Sequence, residues 1–278
     1  MAKTKYGKYL IKPEFHLDRE GMGNKILRFE AAKYGVNASW ILLPVTKATK
    51  YFDNPHSHDF HQFISIVGGD PKDISDFDAE IPIALGEEQE KHVIASPTVL
   101  NLPAGLVHGS GGYNKVNKPY LWLDVFFAAK YVKTEATGKK TSKTKYGKYL
   151  MKAPLSLARE GTGNKILKFD AAKYGIDAAW VLLPVSKPFR MVEEPHSHDF
   201  HQFICFVGSN LHDIEEFDAE IPIYLGEEQE KHVINSATIL HLPPGLIHSS
   251  TEYVKVNKPY FHLDIYFAPK YVKAEMKK

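Results

Sequence analysis

The sequence predicts an all-β chain made of two tandem copies of one sandwich or barrel domain. Three observations carry this expectation. First, the chain repeats itself: Thr4-Lys5-Tyr6-Gly7-Lys8-Tyr9-Leu10 returns as Thr144-Lys145-Tyr146-Gly147-Lys148-Tyr149-Leu150, Trp40 as Trp180 and Tyr131 as Tyr271, always 140 residues later and so without insertion or deletion. Units of that length are domains, because solenoid repeats run to about 20–50 residues. Second, each copy is a series of short runs rich in β-branched, Leu and aromatic residues, separated by Gly, Pro, Asn and Asp. Third, no long stretch carries apolar residues at a helical period.

Within the first copy, the turn Gly21-Met22-Gly23-Asn24 precedes a strand over 25–30. No helical pattern follows these glycines, so they are read as a tight turn with positive φ and not as a phosphate loop. Strands are expected over 36–43, 56–67, 79–85, 91–94, 98–102 and 119–127. Residues 73–77 have room for one helical turn. The polar segment 134–143 has a glycine and no periodicity, which makes it the linker between a first domain, 1–133, and a second, 144–278.

Composition removes several function classes. With 278 residues, 44% hydrophobic and 24% charged, the chain has the make-up of a soluble globular protein. A net charge of +2, from 35 basic and 33 acidic residues, makes no case for nucleic acid. The Lys-rich stretches at 3–12 and 139–152 read as solvated strand edge and linker. No apolar run approaches the roughly 18 residues of a membrane span. The N-terminal residues lack the apolar core of a signal peptide. Cys205 is the only cysteine, so no internal disulfide forms, and its counterpart Ser65 marks it as a packing residue. A cytoplasmic location is the expectation.

One stretch carries chemistry. Pro55-His56-Ser57-His58-Asp59-Phe60-His61-Gln62-Phe63 recurs letter for letter as Pro195-His196-Ser197-His198-Asp199-Phe200-His201-Gln202-Phe203. Side chains alternate faces along a strand, so His56, His58, Phe60 and Gln62 share one face and Asp59, His61 and Phe63 the other. Downstream, Pro103-Ala104-Gly105-Leu106-Val107-His108 and Pro243-Pro244-Gly245-Leu246-Ile247-His248 each make a turn that delivers a further histidine. The pattern His-x-His-x3-[Glu/Gln], followed some fifty residues on by Pro-x-Gly-x2-His, resembles the two motifs of the cupin superfamily. It covers both halves, so the chain resembles a tandem-duplicated bicupin. The resemblance implies two jelly-roll (double-stranded β-helix) barrels, each holding one divalent transition metal (Fe, Zn, Ni or Mn). The implied ligands are His56, His58, Gln62 and His108 in the first barrel, and His196, His198, Gln202 and His248 in the second.

Three positions depart from the family. Pro97 or Ala237 and Gly112 or Glu252 replace a structural Gly and Asn. More consequentially, Gln62 and Gln202 replace the usual Glu. Three neutral imidazoles and an amide leave the full charge on a divalent ion, which then favours an anionic ligand such as a carboxylate, enolate or sugar acid. The change also removes the carboxylate that flavonol-cleaving and oxalate-degrading bicupins place there. Cupins that process unsaturated uronates are similar in carrying Gln.

Proton-transfer candidates are Asp124 and Asp264, set inside apolar runs, together with His262 and His241, which replace Trp122 and Asn101. The aspartates are expected either to orient a metal-bound histidine or act as base, or to sit at a sheet edge open to water. His92 and His232 are read as parts of a solvated turn. Ala84 changing to Tyr224 and Tyr51-Phe52 to Met191-Val192 mark further differences where a pocket could be lined. The functional expectation is a metal-dependent enzyme acting on a small anionic oxygenated substrate by isomerase, lyase or dioxygenase-type chemistry. The alternative is a non-catalytic, metal-centred sensor or store. An exposed edge strand is a candidate homodimer contact.

Overall fold

The computed structural model describes residues 4–18, 21–49, 53–113, 115–136, 145–158 and 164–275. These fold into two compact units, one of residues 14–153 and one joining 1–13 to 154–278. Each is an antiparallel jelly-roll, and no α-helix occurs among the described residues. The longest helical pieces are 3-10 turns such as Ala31–Tyr34.

In the first barrel a seven-stranded sheet runs in the order Leu150–Lys152, Thr98–Leu102, Gln62–Gly68, Tyr120–Phe126, Ser39–Val45, Lys25–Glu30 and Phe15–Leu17. A smaller sheet runs Lys115–Val116, Ala79–Leu85, His108–Ser110, Asp53–Ser57 and Thr134–Glu135, with Glu90–Ile94 added on Ala79–Leu85. The inner faces meet in one apolar cluster. Leu43, Ile64, Ile66 and Leu100 of the larger sheet pack with Ile81, Ile83 and Leu85 of the smaller one. The second barrel repeats this plan, with Leu183, Phe206 and Leu240 against Ile221, Ile223 and Leu225. Cys205 is fully buried on its larger sheet.

The expected strands over 25–30, 79–85 and 98–102 form with those bounds. The strand expected over 36–43 begins only at Ser39, because Gly35, with φ 86°, first ends a 3-10 turn in the left-handed region. Residues 73–77 make turns without a helix. The strand expected over 56–67 is in fact two. Asp53–Ser57 lies in the smaller sheet and Gln62–Gly68 in the larger. Residues 58–61 carry the chain across the barrel corner. That corner is pinned by backbone bonds: the His58 carbonyl accepts from Gly105 N at 2.7 Å, and the His61 carbonyl from Phe127 N at 3.0 Å. The Gly21 and Gly23 turn has the expected positive φ, 76° and 82°.

The start of each repeat is placed on the barrel of the other. Leu10–Ile11 pairs with Thr238–Leu242 of the second barrel, and Leu150–Lys152 with Thr98–Leu102 of the first. Within the segment read as linker, Thr134–Glu135 is a short strand against Asp53–Ser57, while 137–144 lies outside the described residues.

Candidate metal centre

His56 lies next to the end of a strand of the smaller sheet, His58 begins the corner, and His108 opens the strand paired beside His56. This convergence follows from the antiparallel register, which sets His108 directly across from His56. One ring nitrogen from each of the three lies within 4.8 Å of the others, and all three residues are buried. His196, His198 and His248 form the same group in the second barrel.

Each imidazole is held by its Nδ1. His56 Nδ1 donates to the Asn54 carbonyl at 2.6 Å, His58 Nδ1 to the Val132 carbonyl and His108 Nδ1 to the Leu106 carbonyl at 2.9 Å. In the second barrel the acceptors are Glu194, Val272 and Leu246. A carbonyl accepts only, so it fixes the proton on Nδ1 and leaves the lone pair on Nε2. The Nε2 atoms of His56, His58, His196 and His198 are buried with no hydrogen-bond partner. Burial, reinforced by the neighbouring imidazoles, pushes the His108 pKa down to about 3 and that of His248 to about 4. Both stay neutral, the form that binds a cation. Ring packing fixes the tilt: His58 stacks on Phe60 at 4.5 Å between centroids and meets Tyr131 at 4.7 Å.

Gln62 lines the same cavity as His108. Its Nε2 donates to both carboxylate oxygens of Asp124, at 2.9 Å each, which leaves the buried Oε1 without a partner. Gln202 and Asp264 repeat the arrangement. Buried unpaired acceptors are costly unless something binds them. Two neutral nitrogens and an amide oxygen, all unsatisfied, make a donor set that suits a divalent cation.

The other candidates divide. Asp124 sits in a central strand, 7% exposed, and burial raises its pKa to about 7 against the lowering effect of Gln62. Asp264 is also raised to about 7. Their hydrogen-bond partner is the glutamine; backbone carbonyls, not these aspartates, orient the histidines. His262 lines the second cavity, as Trp122 lines the first. His241 does not. Leu240 and Leu242 of its strand face the cavity, so alternation turns His241 outward, onto Phe203 at 4.5 Å and His201 at 3.0 Å. Asn101 is likewise turned to His61. His92 and His232 lie beside Glu90 and Glu230, at 2.8 and 2.7 Å, away from both cavities. Met191 and Val192 line the second cavity, Tyr224 bonds Glu252, and Tyr51 and Phe52 lie outside the described residues.

Sequence reasoning missed an acid–base pair at each mouth. Asp53 lies 3.8 Å from His56 Nε2 and accepts from Lys133 Nζ. Glu193 lies 3.9 Å from His196 Nε2 and accepts from Lys273 at 2.7 Å. The signal was present as an acid kept across the repeat, Asp in one copy and Glu in the other. Arg28 and Lys133 line the first cavity, and Lys168, Arg190 and Lys273 the second. The cavities measure about 370 and 510 Å³.

No family model matches the chain, and no curated protein sequence matches it. Solved structures do. One concerns the Mn(II) centres of oxalate decarboxylase from Bacillus subtilis, at 11% identity and a TM-score of 0.58, covering 95% of this chain and 77% of that one. Another is of the same enzyme at pH 4.6, at 10% identity and a TM-score of 0.58, covering 95% and 76%. At such identity the likeness shows the fold alone, a pair of jelly-roll barrels.

Proposed function

We propose that the chain is a metal-dependent enzyme of two barrels, each acting on a small carboxylate. The observation that carries the reading is the set of buried, unpartnered acceptors, His56 Nε2, His58 Nε2 and Gln62 Oε1, each with its other polar end already tied down. His56, His58, His108 and Gln62 would hold one divalent ion, and His196, His198, His248 and Gln202 a second. Such an ion supplies Lewis acidity toward a carboxylate or enolate oxygen. The rest is work for the chain. Lys133 and Arg28 neutralise the substrate carboxylate in the first cavity, as Lys273 and Lys168 do in the second. Ile26, Ile64 and Leu100 in the first cavity, and Ile204 and Leu240 in the second, exclude water around it. Asp53 and Glu193, at the mouth beside a histidine, move the proton. Asp124 and Asp264 hold the glutamine amide in its orientation.

The fold likeness to oxalate decarboxylase supports a short carboxylate as ligand. The neutral Gln62 and Gln202 argue that the reaction differs from oxalate cleavage, and proton-transfer chemistry, isomerase or lyase, fits Asp53 and Glu193 best. Elemental analysis of the purified chain, followed by turnover assays on a panel of hydroxy, keto and sugar acids, tests this. About two metal equivalents with metal-dependent turnover supports it. A thermal shift with these acids and no turnover gives instead a metal-centred binding protein. No metal uptake after reconstitution overturns both.

A further inference from the structure

The segment Thr4-Lys5-Tyr6-Gly7-Lys8-Tyr9-Leu10 behaves as a ligand of the second barrel. Leu10 and Ile11 add antiparallel to Leu240 and Ile239 at the sheet edge. Lys5 N and Tyr6 N donate to the Glu230 carboxylate at 3.1 and 3.3 Å, and Tyr6 Oη donates to Glu228 at 2.6 Å. Tyr6, Tyr9 and Leu10 close over the apolar core. The Tyr6 ring occupies space that only a glycine leaves open, because a Cβ on Gly226 would fall 2.0 Å from it.

Every feature recurs in the first barrel with the repeated segment. Leu150 pairs with Leu100, Lys145 N and Tyr146 N donate to Glu90, Tyr146 Oη donates to Glu88, and a Cβ on Gly86 would fall 2.1 Å from the Tyr146 ring. The receiving loops are also identical, Leu85-Gly86-Glu87-Glu88-Gln89-Glu90-Lys91-His92 and Leu225-Gly226-Glu227-Glu228-Gln229-Glu230-Lys231-His232. One glutamate of each loop, Glu228 or Glu88, meets one lysine of the incoming segment, Lys5 or Lys145, and Gln89 and Gln229 hold the loop with φ of 52°. Donor and acceptor therefore form a matched pair used twice. In the second barrel the two halves lie far apart in sequence, 225 residues between Lys5 and Glu230. No local chain connection ties this donor to its acceptor, and the two donors are chemically interchangeable.

We propose that each barrel carries an acceptor site for a Lys-Tyr-Gly-Lys-Tyr-Leu segment, whose 3-10 turn leads into the added strand, and that the site on the second barrel takes this segment from a second copy of the chain as well as from its own N-terminus. Specificity comes from the two tyrosines and the glutamate pair, and affinity from the added strand. The outcome is a strand-exchanged dimer.

The test uses the full chain with Tyr6→Ala and Tyr9→Ala, which disables the donor and leaves the acceptor intact. A labelled synthetic peptide of residues 1–13 is expected to bind saturably at one per chain and to restore hydrogen-exchange protection over 238–242. The same peptide with both tyrosines replaced by alanine is expected to bind at least roughly tenfold more weakly. Mixing the donor-disabled chain with one carrying Glu228→Lys and Glu230→Lys, whose donor is intact, is expected to give a species of twice the chain mass in light scattering. A mixture that stays monomeric overturns the second copy as partner. Absence of peptide binding overturns the site itself. Should the double tyrosine variant not fold, Tyr6→Phe, which keeps the ring and loses the bond to Glu228, serves as the weakened donor with the same readouts.

Discussion

Asp124 shows how one side chain is placed to act through another. Both of its carboxylate oxygens accept from the Gln62 amide nitrogen, so the amide cannot turn over without losing both contacts. Asp124→Asn presents an amide to an amide and removes that constraint. Metal affinity of the first barrel is expected to fall about 10–100-fold, read as metal retained against a competing chelator, with the second barrel unchanged. Unaltered retention would show that Gln62 needs no such partner. Two other residues separate the barrels by pH. Burial pushes His241 and His262 down to about 4, whereas their counterparts Asn101 and Trp122 do not titrate. The folded pKa is below the ordinary 6.5, so the unfolded chain takes up protons first as pH falls. Stability present above pH 6.5 is therefore lost between about 6.5 and about 4, by roughly 2–3 kcal/mol per histidine. Asp124 and Asp264, raised to about 7, act oppositely and alike in both barrels. The second barrel should unfold first on acidification, and His241→Asn with His262→Trp should close the gap in melting temperature.

The strands explain what the sequence could show of the site. The burial of His56, His58, Phe60 and Gln62 follows the expected alternation, even though the chain breaks at 58–61. Period-2 patterning survives a corner because the buried side is the same barrel interior on both sides of it. What it could not show is the break, which depends on backbone bonds from Gly105 and Phe127, residues remote in sequence. His241 was misread for a related reason: its facing depends on which neighbours, Leu240 and Leu242, enter the cavity. The Tyr120–Phe126 and Tyr260–Tyr266 strands carry one difference between the cavities, Trp122 against His262. Trp122→His is expected to let the first barrel bind bulkier carboxylates, and His262→Trp to exclude them from the second. Isothermal titration of the metal-loaded variants with a size series of keto acids measures this, and unchanged rank orders would remove these residues as size filters. At the end of the Gln62–Gly68 strand, a Cβ on Gly68 would fall 2.3 Å from the Asp76 carbonyl oxygen. Backbone cannot yield as a side chain does, so Gly68→Ala should destabilise the first barrel by about 1–3 kcal/mol in thermal unfolding.

Across the whole molecule, the two proposed metal sites would give stability a ligand dependence. Loading to a hundredfold excess over Kd should stabilise each barrel by about 3 kcal/mol, and chelation should remove that increment from the melting profile. The repeat, the strand content and both histidine sets were legible because each is written in local spacing. The exchange of leading segments was not, since identical copies leave no mark of which barrel each one joins; only the pairing of Leu10 with Leu240 and Leu150 with Leu100 decides it. That exchange sets a timetable for synthesis. Residues 4–11 leave the ribosome long before their pairing strand, Thr238–Leu242, exists. At roughly 5–20 residues per second the delay is on the order of 10–50 seconds. For that interval a segment bearing Tyr6, Tyr9, Leu10 and Ile11 waits without its sheet, the condition in which nascent chains aggregate. Lys5, Lys8 and Lys12, spaced among those apolar residues, are the charges that keep a waiting strand in water.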